Sequence, residues 1–175
     1  GGSSGIGLSA ACRFAEAGAI TVICARGEDK LAEAVKEIKA AAGKDALVFS
    51  YAVDIADEAG CAEFVRKLTE EHGGVDFLVN NAGRSIRRAI EASYDRFHDF
   101  ERTMQLNYFG SLRVTMGLLP GMVAKKKGHV VNISSISVLV NAPRFSAYVA
   151  SKAALDAWTR CASSEYADVG ITFTT

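Results

Sequence analysis

The residues best suited to chemistry are Tyr148 and Lys152, four positions apart in the segment Tyr-Val-Ala-Ser-Lys. Residues at this spacing on a helix lie on one face, a turn apart, so the two side chains can share a site. An ammonium near a phenol favours the phenolate, a form that a phenol must reach in acid–base catalysis. The spacing is common, and an exposed helix face with a solvated lysine is the alternative interpretation.

The N-terminal segment is rich in glycine and serine and leads into a helical pattern. It begins Gly1-Gly2-Ser3-Ser4-Gly5-Ile6-Gly7, and residues 8–17 then carry apolar side chains on one helix face before Gly18. Free N–H groups at a helix N-terminus suit a pyrophosphate. A flexible linker is the alternative, but loop, helix and a following strand at Thr21–Ala25 together favour nucleotide binding.

Asparagines mark two further places in the chain. Asn80-Asn81-Ala82-Gly83 follows the apolar run 75–79, which predicts a buried strand leading into a turn. These amides could bond local backbone or simply brace a sheet. Asn107 falls within a predicted helix over 96–124, among apolar neighbours, and a buried asparagine there requires a hydrogen-bonding partner.

The remaining elements alternate in the manner of a doubly wound α/β sheet. Besides the helices named above, the patterns predict helices over 28–42 and over 57–72, and a helix that carries Tyr148 and runs to about Tyr166. Further strands are predicted at 46–53, 130–133 and 170–173. The run Lys125-Lys126-Lys127-Gly128 is expected to end the long helix, because positive charge suits a helix C-terminus.

Composition limits the class of protein. A length of 175 residues fits one domain, and 20 basic against 20 acidic residues give no net charge, so nothing points to nucleic acid or acidic lipid. No apolar run approaches a transmembrane span. Four scattered cysteines are typical of a reduced, cytoplasmic protein, and three histidines without ligand spacing predict no metal site.

Taken in order and spacing, the motifs resemble the short-chain dehydrogenase/reductase family, in its compact single-domain branch. The resemblance spans the chain and rests on Gly1-x-x-x-Gly5-x-Gly7, Asn80-Asn81-Ala82-Gly83, Asn107, Ser135 and Tyr148-x-x-x-Lys152. It implies an α/β fold, a three-layered Rossmann-type parallel sheet, and one NAD(P)-binding domain over 1–175.

The family pattern also has a strand before Gly1 and further segments after Thr175. The sequence is therefore interpreted as an internal part of a longer protein, with its sheet incomplete at both ends. In the family's strand order 3-2-1-4-5-6-7 the strand before Gly1 is central. Without it we expect the chain to be unstable, because buried backbone groups lose their partners.

The resemblance implies a role for each site residue. Tyr148 is the general acid or base, Lys152 assists it and holds the nicotinamide ribose, Ser135 bonds the substrate oxygen, and Asn107 supports a proton-relaying water. The expected cofactor-binding residues are Gly1, Ser3, Ser4, Gly5, Ile6, Gly7, Arg26, Asp54, Asn81, Ala82 and Gly83, with Tyr148 and Lys152.

Cofactor choice is predicted from the end of the strand at Thr21–Ala25. An acidic residue there would bond the ribose 2′-hydroxyl and favour NAD(H). The chain instead has Ala25-Arg26, and a guanidinium suits a 2′-phosphate, so NADP(H) is preferred over NAD(H). A solvated arginine is the alternative. Asp54 resembles the family's adenine contact, or it caps the next turn.

The substrate prediction rests on a narrower resemblance. Segments 84–88, 95–102 and 141–146 are similar to bacterial reductases of long-chain fatty acyl-CoA or fatty aldehydes, some of which are one domain of a larger polypeptide. Arg84, Arg87 and Arg88 could meet the phosphates of an acyl carrier such as coenzyme A, although a solvated basic loop is the favoured interpretation.

Other functions remain open at this point. The lipophilic substrate could be a free small molecule or be bound to an acyl carrier. A reductase for another ketone or alcohol and a catalytically silent NADP(H)-binding regulator are the alternatives. The family resemblance also implies a homodimer or homotetramer.

Overall fold

A computed structural model describes residues 1–175, which form two compact units, Gly1–Asp54 and Ile55–Thr175. None of the helices combines the length and apolar character needed to cross a bilayer. All four cysteines are free thiols. The single domain over 1–175 stays a prediction.

The first unit alternates helices with strands. It contains α1 (Gly5–Glu16), β1 (Thr21–Ala25), α2 (Glu28–Ala42) and β2 (Val48–Ala52). The two strands are parallel, with Thr21 opposite Val48 and Ala25 opposite Ala52. Apolar side chains at helical spacing on α1 and α2 cover this sheet, and the buried core consists of Ala11, Ala15, Ile23, Leu31, Ala34, Ile38 and Val48.

The second unit holds three parallel strands in the order β3-β4-β5. Its strands are β3 (Phe77–Asn80), β4 (Gly128–Asn132) and β5 (Ile171–Thr174). Its helices are α3 (Glu58–His72), α4 (His98–Met104), α5 (Ser111–Lys125), α6 (Ser137–Val140) and α7 (Ser146–Glu165), with a 3₁₀ turn at Ile90–Ser93. The predicted α/β fold with parallel sheets is confirmed.

Several predicted boundaries were wrong by two to three residues. Helix α1 begins at Gly5 rather than at residue 8, and β2 is shorter than the predicted 46–53. Strand β3 was expected to be buried, but it lies at an edge of its sheet and Phe77 is exposed. The short helix α6 was not predicted, since four residues are too few to show a helical period.

The long helix predicted over 96–124 is interrupted. Between α4 and α5 the chain forms a π-helical turn over Gln105–Gly110, which contains Asn107. One extra residue in a turn shifts every following side chain around the helix axis. A pattern of apolar residues does not reveal such an insertion, so the sequence predicted a continuous helix.

The end of α5 also differs from expectation. Its left-handed capping residue is Lys126, with φ of 52°, rather than Gly128. Gly128 is instead the first residue of β4, and a Cβ there would lie 2.6 Å from the sulfur of Met122. The glycine is thus required for close packing of the strand against α5 and not for the helix end.

Four buried polar side chains form a ladder across the second unit. Asn80 Nδ2 donates to Thr115 Oγ1 and to Asn132 Oδ1, both at 2.8 Å, and Asn132 Nδ2 donates to Thr159 Oγ1 at 2.7 Å. Asn80 and Asn132 are register partners at the carboxyl ends of β3 and β4. This ladder joins those strand ends to α5 and α7.

The π-helical turn depends on a small residue at its end. A Cβ at Gly110 would lie 2.8 Å from the carbonyl oxygen of Ile55. We expect Gly110→Ala to lower the free energy of unfolding by about 1–3 kcal/mol, because the carbonyl must move. Urea unfolding of the full-length protein measures this.

Gly121→Ala is the matched control for that variant. A Cβ at Gly121, also helical, meets nothing within 4 Å, so alanine should be neutral or raise stability by up to about 1 kcal/mol. Equal effects of the two substitutions would contradict the close approach at Gly110.

Candidate active site

In the first unit the glycine-rich turn lies directly on β1. The Gly2 N–H donates to the carbonyl of Cys24 at 3.1 Å, and a Cβ at Gly2 would lie 2.7 Å from the Cβ of Ile23. Gly5 has φ of +56°, a conformation that favours glycine. No larger residue fits at Gly2, so glycine is required for the turn to lie this close to β1.

The turn ends in an uncapped helix N-terminus. Ser4 is the N-cap of α1, but its side chain makes no capping hydrogen bond, and the first turn carries no acidic residue. The first N–H groups of α1 therefore remain available to an anion. Beside them lies an open depression of about 460 Å³ lined by Gly5, Ile6, Ser9, Ala10 and Arg13. The free N–H groups at the start of α1 fit the pyrophosphate of a dinucleotide.

Arg26 and Asp54, both predicted to bind cofactor, are neighbours in this unit. An Arg26 Nη1 nitrogen lies 4.0 Å from Asp54 Oδ2, and the arginine side chain is 73% exposed. An exposed ion pair at this distance is weak. The guanidinium therefore keeps donors for another anion, such as a ribose phosphate.

In the second unit Asn107 is completely buried and uses its whole amide group. Its Nδ2 donates to the carbonyl of Arg84 at 2.9 Å, and its Oδ1 accepts from the Arg84 N–H at 2.9 Å. The same Nδ2 also donates to Ser151 Oγ at 2.9 Å. Asn107 thus holds the backbone after β3 and contacts α7 as well.

Lys152 is a buried cation at the carboxyl end of β4. Its Nζ donates to the carbonyl of Ile133 at 2.7 Å, and the residue is only 3% exposed. Burial lowers the pKa of Lys152, because removal from water disfavours the ammonium. The amine therefore releases a proton more readily than a solvated lysine does.

Gly83 brings these two side chains into one cluster. A Cβ at Gly83 would lie 3.2 Å from Asn107 Oδ1 and 3.5 Å from Lys152 Nζ. The turn after β3 therefore passes directly beside the amide and the ammonium, and glycine leaves room there. Gly83, Asn107 and Lys152 form the cluster that the structure brings together.

Ser151 connects Asn107 to the backbone of Tyr148, a role that the sequence did not predict. Its hydroxyl accepts from Asn107 Nδ2 and donates to the carbonyl of Tyr148 at 2.7 Å. Ser151 is completely buried. The available signal was a serine directly before Lys152 in a predicted helix, where a small hydroxyl can bond its own helix backbone.

Ser135 and Tyr148 lie on elements next to the cluster. Ser135 is two residues beyond Ile133, and its Oγ lies 2.7 Å from Ser137 Oγ and accepts from the Ser137 N–H at 3.2 Å. Tyr148 is half-buried in the first turn of α7, one turn before Lys152. The hydroxyl of Ser135 is thus oriented by the start of α6.

The predicted site residues consequently fall into two sets. Gly1, Ser3, Ser4, Gly5, Ile6, Gly7, Arg26 and Asp54 belong to the first unit, and Asn81, Ala82, Gly83, Asn107, Ser135, Tyr148 and Lys152 to the second. In the second unit they follow the carboxyl ends of β3 and β4 or lie on helices packed there, which is where parallel sheets bind ligands. Their roles in catalysis and cofactor binding stay predictions.

Arg88 does not fit the predicted trio of phosphate-binding arginines. Its Nε donates to the buried carboxylate of Asp99 at 3.1 Å. Arg84 and Arg87 are exposed. The structure therefore leaves two of the three guanidinium groups for a carrier phosphate.

Comparison with known proteins agrees with the fold and the motifs. The family model for short chain dehydrogenases matches residues 1–175. A fatty acyl-CoA reductase of Acinetobacter baylyi is 52% identical over 165 residues, which are 94% of this chain and 55% of that protein. The chain spans about half the length of the curated relatives it matches.

Two solved structures show the same architecture. A metagenomic short-chain oxidoreductase in complex with NADP matches with a TM-score of 0.92 and 29% identity, covering 99% of this chain and 76% of that one. NAD⁺-bound xylitol dehydrogenase matches with a TM-score of 0.89 and 28% identity, covering 97% and 64%. With the family model matched along its whole length, the chain belongs to the short-chain dehydrogenase family.

Proposed function

We propose that the protein is an NADP(H)-dependent oxidoreductase that transfers hydride between nicotinamide and a carbonyl or alcohol carbon. The substrate we propose is a lipophilic aldehyde or a fatty acyl thioester. The observation that carries the proposal is the cluster of Gly83 with the buried Asn107 and Lys152, which lies on α7 one turn after Tyr148. Similarity to the Acinetobacter reductase supports the substrate class.

Each residue of the site would have a separate role in carbonyl reduction. When bound, the nicotinamide supplies hydride to the carbonyl carbon. For an aldehyde, Tyr148 would give its phenolic proton to the developing alkoxide, and Ser135 would donate a hydrogen bond to the same oxygen. For a thioester, the tetrahedral product of hydride addition would then break its C–S bond, its hydroxyl proton would pass to the departing thiolate, and an aldehyde would remain. Lys152 favours the phenolate that remains and helps to replace its proton, a task for which a lowered pKa is suited. Asn107 would support a water in that relay through its backbone, because its side-chain amide is already bonded to Arg84 and Ser151.

The first unit carries groups that suit the phosphates of the cofactor. The uncapped α1 N-terminus suits the pyrophosphate, and Arg26 suits a 2′-phosphate. The solved relatives include both NADP-bound and NAD⁺-bound proteins, so Arg26 is the feature that favours NADP(H) here.

Apolar residues directly after Ser135 support a lipophilic substrate. Ile136, Leu139 and Val140 lie in and before α6 with 71%, 77% and 63% of their surface exposed. Such side chains gain free energy when a hydrocarbon chain covers them, at about 25 cal/mol per Å². A polyol such as xylitol would not provide this, and it is the second candidate class because of the xylitol dehydrogenase match.

The arrangement of helix α5 supports a homodimer or homotetramer. Met116 and Val123 are exposed and seven residues apart on α5, so they lie on one face of the helix, and Phe109 in the π-helical turn before α5 is exposed as well. An apolar stripe of this kind is typical of a helix that packs against another. Sedimentation of the full-length protein tests this, and a monomer would contradict it.

The deciding experiment follows NADPH in the full-length protein, its consumption with carbonyl substrates and its formation with an alcohol. It is offered a long-chain fatty aldehyde, the matching acyl-CoA, a short aldehyde and a polyol with NADP⁺. Turnover of the long-chain compounds supports the proposal. Turnover of the polyol alone would mean that the substrate is a polyol and not a lipophilic carbonyl compound. NADPH binding without any turnover would mean that the protein is a regulator and not a catalyst.

Replacement of Arg26 tests the cofactor preference. We expect Arg26→Gln to raise the KM for NADPH roughly ten- to hundredfold, the loss of a charge-assisted bond worth about 1.5–3 kcal/mol. The KM for NADH should change little, because NADH lacks the 2′-phosphate. Lys44→Gln, which removes an exposed cation after α2, is the control and should leave both values unchanged. An equal rise for both cofactors would contradict the assignment.

A further inference from the structure

The segment between the turn after β3 and the 3₁₀ turn is fixed to the helix that leads to Asn107. At one end, the backbone of Arg84 exchanges two hydrogen bonds with the Asn107 amide. At the other, the Arg88 side chain donates to the carboxylate of Asp99 in the first turn of α4. We call residues 84–88 the anchored segment.

The dimensions of the two elements match. Asp99 and Asn107 are eight residues apart on a nearly continuous helix, a rise of roughly 12 Å at 1.5 Å per residue. Arg84 and Arg88 are four residues apart in a chain without regular structure, which reaches roughly 13 Å when extended. The anchored segment is therefore long enough to reach from one anchoring point to the other.

Asp99 is a buried carboxylate beside two arginines and a histidine. The residue is 5% exposed, and its oxygens lie 3.1 Å from Arg88 Nε, 3.3 Å from Arg96 Nε and 3.4 Å from His98 Nε2. Burial opposes its ionisation, but hydrogen bonds from Arg96 and Arg88 outweigh it and lower the pKa of Asp99. The group is therefore a fixed anion at neutral pH.

The same arginine reaches the chain that leads to Tyr148. The backbone N–H of Arg88 donates to the backbone carbonyl of Arg144 at 2.7 Å. Arg144 has φ of 68°, in the left-handed region, and comes two residues before α7 begins. The position of the Arg88 backbone therefore affects the turn that precedes α7, the helix on which Tyr148 lies.

We propose that Asp99 and Arg88 are positioning residues, which hold the anchored segment against α4 and through it the turn before Tyr148. The proposal rests on the reductase function proposed above. Neither residue is assigned contact with substrate or cofactor. Their loss should reduce kcat while NADPH binding is kept.

Arg96 provides a matched control. It donates to the same carboxylate oxygen as Arg88, but it lies three residues before Asp99 and is not part of the anchored segment. If Asp99 needs only a counter-charge, loss of either arginine has the same effect. If Arg88 positions the segment, only the loss of Arg88 lowers kcat.

The experiment compares Arg88→Gln, Asp99→Asn and Arg96→Gln in the full-length protein. With a fatty aldehyde as uncharged substrate, we expect the first two to lower kcat about tenfold or more, since small displacements in a site cost that much. Arg96→Gln should stay within twofold, and the Kd for NADPH should be unchanged in all three. Arg88→Lys, which keeps a donor, should restore part of kcat.

Hydrogen exchange supplies a readout that does not depend on turnover. The amides of residues 84–88 should exchange faster in Arg88→Gln and Asp99→Asn, and at the wild-type rate in Arg96→Gln. Unchanged exchange in Arg88→Gln, or the same change in Arg96→Gln, would overturn the positioning role even if wild type is inactive on aldehydes. An inactive wild type with the expected exchange pattern would instead refute the proposed function alone.

Discussion

Replacement of Tyr148 by phenylalanine is expected to lower kcat for aldehyde reduction roughly 10²–10⁴-fold, the usual contribution of a general acid. The phenylalanine keeps the ring of this half-buried residue in the first turn of α7 and removes only the hydroxyl. The free energy of unfolding should therefore change little, and the fall in kcat should come from the slower proton transfer. Steady-state NADPH oxidation by the full-length protein measures it.

Two controls separate chemistry from binding in that variant. The Kd for NADPH should rise by no more than about tenfold, the effect of one neutral hydrogen bond. Tyr166→Phe, at the end of the same helix and packed on Phe173, should keep wild-type turnover. If Tyr148→Phe retains more than a tenth of the wild-type kcat, Tyr148 is not the acid.

Replacement of Lys152 by methionine should also remove nearly all turnover, by a factor of about 10²–10⁴, if the ammonium assists Tyr148. Methionine fills the volume of the buried side chain but cannot donate to Ile133. Lys152→Arg is the companion variant, because it keeps a charge with different geometry. Full activity in Lys152→Met would contradict the role.

The same variant gives a pH-dependent difference in stability with a definite sign. Burial lowers the folded-state pKa of Lys152 below its ordinary value of about 10.4, so the unfolded chain binds the proton more tightly. The folded state is penalised below the folded pKa, and the penalty disappears as pH rises toward the unfolded value. Wild type should therefore gain stability relative to Lys152→Met as pH rises.

Urea unfolding of both proteins between pH 7 and pH 10 measures this difference. Taking the difference between the two proteins cancels the titration of every group that they share. A constant difference across this range would mean that the pKa of Lys152 is not lowered in the folded protein.

Much of the fold could be predicted from local patterns. The alternation of elements, the glycine that follows α1 and the carboxyl-end position of the asparagines all depend on short stretches of sequence. The end of α5 could not be predicted in the same way. Gly128 resembles a helix stop, but its small size serves packing against Met122, a contact made through tertiary structure.

In the candidate site, too, local features could be predicted from the sequence and tertiary contacts could not. The motif Tyr148-x-x-x-Lys152 was visible because its chemistry and its spacing coincide on one helix. The role of Ser151 was not, because its partner Asn107 is 44 residues away and is turned toward it by a π-helical insertion. Asp99 was equally hidden, since an aspartate among arginines in a sequence looks like an exposed charged face until its burial is known.

The polar ladder of Asn80, Thr115, Asn132 and Thr159 has a consequence for misfolding. If β3 slipped by one residue along β4, Asn80 would turn to the opposite face of the sheet and Asn132 Oδ1 would lose its donor. Slipped pairings are therefore disfavoured by unsatisfied buried amides. Because Ile133 directly follows Asn132, the correct register also determines where the carbonyl that holds Lys152 is presented.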